Sequence, residues 1–169
     1  MKIAYIIGHS PDSPGAWSPF LHQNEYFYNC EVAAYLSGLG DIYHRPDVGG
    51  YKTQMRLLAE EINPKNYDLV VELHFNAFNK QAQGVEAVAF PGSSAIYHGA
   101  KYCEAVANEY GMDNRGVKIT NRNGRGYWFL KYMKAPGLIL EPFFGDSEGA
   151  ELFENQAKYA DVIKRVFCE

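Results

Sequence analysis

The sequence predicts an α/β fold, a single domain built on a twisted, mixed, largely parallel sheet with helices on both faces. Three observations predict it. Short apolar runs alternate with longer helical patterns along the whole chain. The run Leu69-Val70-Val71 shows no polar alternation, the mark of a strand covered on both sides. Three such runs stop at His9, His74 and Glu141, residues that bind metals or move protons. Open α/β sheets gather their ligands beyond the carboxyl ends of their strands.

The elements follow in order. Residues 3–8 form a first strand, and a Pro/Gly/Ser-rich loop runs from 10 to 19. Residues 24–39 are helical: Tyr28, Val32, Tyr35, Leu36 and Leu39 recur at helical spacing, and Gly38 and Gly40 supply the stop. A short strand covers 42–45. A helix over 53–62 presents Met55, Leu58, Ala59 and Ile62 on one face and ends before Pro64. Strands follow at 68–74 and 84–90, the second a candidate for antiparallel pairing. Ser94 caps a helix whose apolar face is Ile96, Ala100, Cys103, Ala107 and Tyr110, with Gly111 after it. Residues 112–126 are polar and Gly-rich, with only 117–119 apolar enough for a strand. A last strand spans 137–141, and a closing helix runs from 147 to 167 with Phe153, Ala157, Ala160 and Ile163 in one stripe.

The 169 residues, 47% hydrophobic, fit one domain over 1–169 and leave no room for a second of ordinary size. With 20 acidic against 16 basic residues the formal charge is −4, which offers a phosphate backbone no attraction, so nucleic acid is not expected as a partner. Cys30, Cys103 and Cys168 are far apart and form no CxxC pair, so they read as free thiols rather than a thiolate metal site. The opening apolar run is too short for a signal-peptide core or a membrane span, and reads as a buried strand. Synthesis in the cytoplasm without a signal peptide, and no transmembrane segment, are the expectations.

A shared sheet edge would bring His9, His74 and Glu141 together. Two imidazoles and a carboxylate suit zinc and leave a fourth position for water. A second carboxylate must then act as base. Glu141 and one earlier acid divide these roles, and spacing alone leaves Glu25, Asp12 and Glu72 open as the earlier acid. Alternation along the strand puts Glu72 on the same face as His74. A carboxylate directly after Leu138-Ile139-Leu140 is costly if unpaired, which favours the metal reading over three unrelated structural residues. His22 is near enough to Glu25 to support it; His98 reads as helix surface and His44 as strand or loop.

These residues resemble the zinc-dependent N-acetylmuramoyl-L-alanine amidases of the type-3 class, found in bacterial autolysins and phage endolysins. The matching stretches are Gly8-His9, Asp12, Pro14-Gly15-Ala16, Glu25 with Asn29, Arg45, Arg56, His74-Phe75-Asn76-Ala77, Gly84-Val85-Glu86, Arg115-Gly116, and the Pro136-led strand ending at Glu141. The chain departs from the pattern at Ile6-Ile7 and Ser10-Pro11 around the first histidine, and at Glu72, where the family often has serine. The resemblance implies one zinc ion per chain on His9, Glu25 and His74, with Glu141 catalytic. It also implies peptidoglycan as substrate, cut between the lactyl group of N-acetylmuramic acid and L-alanine. Asn76, Arg115, Arg122 and Arg125 are then candidates for holding the stem peptide, the arginines by bidentate contacts to its carboxylates. Tyr127-Trp128-Phe129 is expected to pack beneath the arginine loop, and Trp17 and Phe20 are candidates for lining a groove. An enzyme of this kind would reach the wall by release or by another export route. The same metal set would serve a zinc peptidase, such as a carboxypeptidase or γ-glutamyl hydrolase. A degenerate wall-binding module would have no use for an acid at 141.

Overall fold

The structure is a computed structural model and describes residues 1–122 and 124–168; Asn123, within the predicted polar loop, and Glu169 lie outside the described residues. The chain begins with β1 (Ile3–Ile7), then a two-strand ribbon of β2 (Trp17–Ser18) and β3 (Gln23–Asn24), which leads into α1 (Glu25–Leu36). β4 (Asp41–His44), α2 (Tyr51–Ile62), β5 (Leu69–Leu73), β6 (Val85–Ala89) and α3 (Ala95–Tyr110) follow. β7 (Asn114–Ile119), α4 (Tyr127–Tyr132), β8 (Gly137–Glu141) and α5 (Gln156–Phe167) complete the chain.

Among the described residues six strands form one sheet in the order β4-β1-β5-β8-β6-β7. β4, β1, β5 and β8 run parallel; β6 is antiparallel to β8, and β7 follows β6. The sheet is therefore mixed and largely parallel, with the expected reversal at the strand after Gly84.

Every residue of β1, β5, β6 and β8 is buried, because the sheet carries a core on each side. Ile3, Tyr5, Ile7, Leu69, Val71 and Leu73 pack against α1, α3 and α5. Ala4, Ile6, Val70, Val88 and Ile139 face α2 and α4. This two-sided burial is why the strands read as unbroken apolar runs. Alternation places Glu72, Glu86 and Glu141 on the side shared with Val70, Val88 and Ile139.

Several elements differ from the sequence reading: α1 stops at Leu36 and β7 starts at Asn114. The short ribbon β2–β3 and helix α4 were not expected. α4 holds Tyr127-Trp128-Phe129; Phe129 is fully buried against the sheet and Trp128 packs half-buried on the same core, whereas Tyr127 stays half-buried outside it, so only part of the cluster packs as core. The closing helix is shorter than 147–167. Asn155 breaks it by accepting a hydrogen bond from Lys158 N at 3.0 Å, the side-chain cap that starts α5. At α3 the side chain meeting a free backbone N–H is Ser93 rather than Ser94, accepting from Ala95 N at 3.2 Å. Among the described residues no helix is long and apolar enough to cross a membrane.

Candidate functional site

The carboxyl ends of β1, β5 and β8 open onto a cavity of about 580 Å³ whose lining includes His9, Glu25, Glu72, His74, Asn76, Arg125 and Glu141. His9 lies beyond β1, His74 follows β5, and Glu141 ends β8. Glu25 comes from the opposite layer: it is the first residue of α1 and reaches the edge from the other side of the sheet.

His9, Glu25 and His74 are the group of possible ligands found among the described residues, with one donor atom each lying within 4.8 Å of the others. Glu25 Oε2 is 3.1 Å from His9 Nε2, and Glu25 Oε1 is 2.7 Å from His74 Nδ1. Backbone N–H groups fix the carboxylate, Phe75 N donating to Oε1 at 3.1 Å and Ala16 N to Oε2 at 3.3 Å. Two glycines make room for the cluster. A Cβ on Gly8 would stand 2.5 Å from His74 Cε1, and a Cβ on Gly15 would stand 2.7 Å from both Glu25 Oε2 and His9 Cδ2. His9 takes a left-handed φ of 68°, sterically costly for a residue with a side chain and tolerated where a site needs it.

The electrostatics of the cluster call for positive charge. Burial alone would raise the Glu25 carboxyl, but hydrogen bonds from His74 and His9 hold it at about 2. Burial would lower the His74 imidazole, but Glu72 and Glu25 drive it up to about 10. Two nitrogens and a carboxylate at ligand spacing, in a pocket that draws a cation, are a donor set that fits zinc.

Glu141 is set differently. Burial pushes its carboxyl up to about 7 against the pull of His74 and Arg125. One carboxyl near 2 and another near neutrality, side by side, is the division expected of a ligand and a proton carrier.

A second network supports Glu141. In the antiparallel register Glu86 lies directly across from it, a like-charge pair that opposes folding by itself. Arg125 bridges the two, donating from Nη1 to Glu141 Oε1 at 3.1 Å and from Nη2 to Glu86 Oε1. Arg115 Nε donates to Glu86 Oε2 at 2.9 Å and Asn76 Nδ2 to Glu86 Oε1 at 2.8 Å. Gly126, beside Arg125, holds a φ of 66°, and a Cβ there would fall 1.9 Å from Ile139 Cδ1, so only glycine lets the arginine turn lie against the sheet. Burial would raise Glu86, but Arg115 and Arg125 hold its carboxyl below the usual range. Its contribution is present above the unfolded value, about 4.3, and is lost as pH falls through the folded one. Both arginines are partly exposed and can rehydrate, so Glu86→Gln should cost about 1–2 kcal/mol at neutral pH. Denaturant unfolding of both proteins from about pH 7 to about pH 3 checks this. The gap should close in acid, and a gap indifferent to pH would refute the ionic origin.

The other sequence candidates scatter. Asp12 is exposed and stands beside Asp47. His22 is exposed in the turn of the β2–β3 ribbon. His44 meets Tyr26 Oη at 3.1 Å through Nδ1, and His98 packs on Phe167. Arg115 lies over the Phe144 ring and does not line the cavity, and Arg122 is exposed and does not line it. Trp17 and Phe20 line a second cavity of about 700 Å³ with Lys80 and Asp146. Glu86 stood in the Gly84-Val85-Glu86 match with no role; its position opposite Glu141 follows only from the antiparallel pairing.

A family model for N-acetylmuramoyl-L-alanine amidase matches residues 3–167. Among solved structures, the catalytic domain of an endolysin targeting Clostridia difficile is similar at a TM-score of 0.82 and 24% identity, covering 100% of this chain and 98% of that one. An N-acetylmuramoyl-L-alanine amidase from Clostridium difficile 630 is similar at 0.78 and 17%, covering 99% and 95%. The catalytic domain of the amidase CwlV from Bacillus (Paenibacillus) polymyxa var. colistinus is similar at 0.72 and 20%, covering 98% and 97%. At these identities the likenesses bear on the fold. A search of curated proteins found no match.

Proposed function

We propose, from the premise that the chain belongs to the N-acetylmuramoyl-L-alanine amidase family, that His9, Glu25 and His74 hold a zinc ion and that Glu141 moves the proton of an amide hydrolysis. The chain is a peptidoglycan amidase, and its bond is the one between the lactyl group of N-acetylmuramic acid and L-alanine. The observation that carries the residue roles is the convergence of the three donors beside a buried Glu141 at one sheet edge.

Bound among these donors, zinc supplies Lewis acidity to an amide carbonyl and makes water acidic enough to attack near neutral pH. Glu141 accepts the proton of the attacking water and returns it to the alanine nitrogen as the amine leaves, which one carboxyl poised at about 7 can do in sequence. Arg125 holds Glu141 Oε1 and presents its exposed face to the cavity, where a stem-peptide carboxylate suits it. Asn76, fixed by Glu86, offers the peptide a polar contact from the same wall. Arg115 acts through Glu86, and Arg122, exposed and outside the cavity lining, takes no part in holding the peptide there.

Digestion of purified peptidoglycan with mass analysis of the fragments tests this. Intact stem peptides with a free L-alanine amine are the expected product. Cleavage within the stem peptide would transfer the same metal set to a peptidase.

A further inference from the structure

The geometry points to Glu72 as a positioning residue: it holds the imidazole of His74 from behind, so that Nδ1 faces the metal, and thereby sets how tightly the site binds zinc. This rests on the reading of His9, Glu25 and His74 as the zinc site.

The two ring nitrogens of His74 face different carboxylates. Nδ1 is 2.7 Å from Glu25 Oε1, and the Nδ1–Cε1 edge lies against Gly8, where a Cβ would come within 2.7 and 2.5 Å of those atoms. Nε2 points the other way and is 3.4 Å from Glu72 Oε2. A neutral imidazole carries its proton on the nitrogen that has an acceptor and offers the other to a metal. Glu72 is that acceptor, and it is not itself part of the ligand cluster.

Glu72 is otherwise hard to explain. It sits in β5 between Ile6 and Ile139 in the middle of the sheet and is 0% exposed. Tyr51 Oη donates to Oε2 at 3.4 Å, while Oε1 has no partner among the described residues. Arg45 lies over the Tyr51 ring at 4.7 Å but gives its hydrogen bonds to Gln54 Oε1, at 2.9 and 3.1 Å. A buried carboxylate so thinly satisfied is costly unless positive charge faces it. An imidazole with a dication behind it is that charge. The chain Tyr51–Glu72–His74 thus runs from helix α2 along that face of the sheet to the ligand cluster, and a carboxylate acceptor also makes the imidazole a stronger donor.

The test is the zinc dissociation constant of the whole chain, measured by chelator competition for the wild type, Glu72→Met, Glu72→Gln and His74→Ala. Glu72→Met should bind zinc about 10- to 100-fold more weakly. Glu72→Gln, isosteric and still an acceptor for Nε2–H, should lose less. In ¹⁵N-resolved spectra of the zinc-loaded wild type, the His74 Nε2–H is expected to be sharp, shielded from exchange by Glu72, and to broaden in Glu72→Met. Melting of the apo proteins reports folding, and if Glu72→Met does not fold, Glu72→Gln decides. Wild-type affinity in a folded Glu72 variant, with His74→Ala defective, would overturn the role of Glu72 alone. A wild type that does not bind zinc, or a His74→Ala that binds it equally, would overturn the zinc site and this inference together.

Discussion

Glu25→Ala is expected to abolish zinc binding and wall digestion together. Its two oxygens meet both imidazoles, at 3.1 and 2.7 Å, and two backbone N–H groups hold it in place. Alanine leaves two histidines that no longer share a partner, and two nitrogens make a poor zinc site. Stabilisation of the reacting carbonyl by an ion held there would amount to several kcal/mol. At about 1.4 kcal/mol per decade, the rate should fall by at least ~10³-fold. Metal analysis and turbidity of purified walls check both halves. Zinc retained at wild-type occupancy would remove Glu25 from the ligand set and reopen the case for Asp12 or Glu72.

Glu141→Gln is expected to separate what Glu25→Ala joins. The side chain keeps its shape and can still accept from Arg125, so zinc should stay while the rate falls by ~10²–10⁴-fold. Misfolding is not the expected cause. A carboxyl raised to about 7 by burial stabilises the fold fully only below its unfolded value, about 4.3, and progressively less as pH rises to the folded value. Removing the charge should therefore leave the neutral-pH melting temperature unchanged or higher. Metal content, melting and fragment release measured on one preparation decide it. Loss of zinc along with activity would make Glu141 a ligand instead of a proton carrier.

Much of this site is legible in the sequence. β1, β5 and β8 announce themselves because both faces are buried, and their ends name His9, His74 and Glu141 directly. Glu25 was different. Spacing left it level with Asp12 and Glu72, and only the resemblance favoured it, because a helix starting in the other layer gives no periodic clue that it reaches round the sheet edge. The Glu86–Arg125–Glu141 bridge was hidden because it depends on the register of one antiparallel pair. Helix α4 was missed because six residues, four of them aromatic, are too few to show a helical period. The break before α5 was readable in principle from Asn155, whose side chain competes with the backbone and so starts helices.

The placement of Glu25 has a mechanical consequence. One donor arrives from the α1 layer and two hang from strand ends, so a bound ion would act as a rivet between layers rather than an ornament in a finished pocket. His9 and Glu25 bracket the segment carrying the β2–β3 ribbon, and fixing both ends to one point removes most of the slack that the segment would otherwise have. Metal occupancy and the docking of α1 are then one equilibrium seen from two sides. Depleting the ion would loosen the architecture first at that seam, well before the central strands give way.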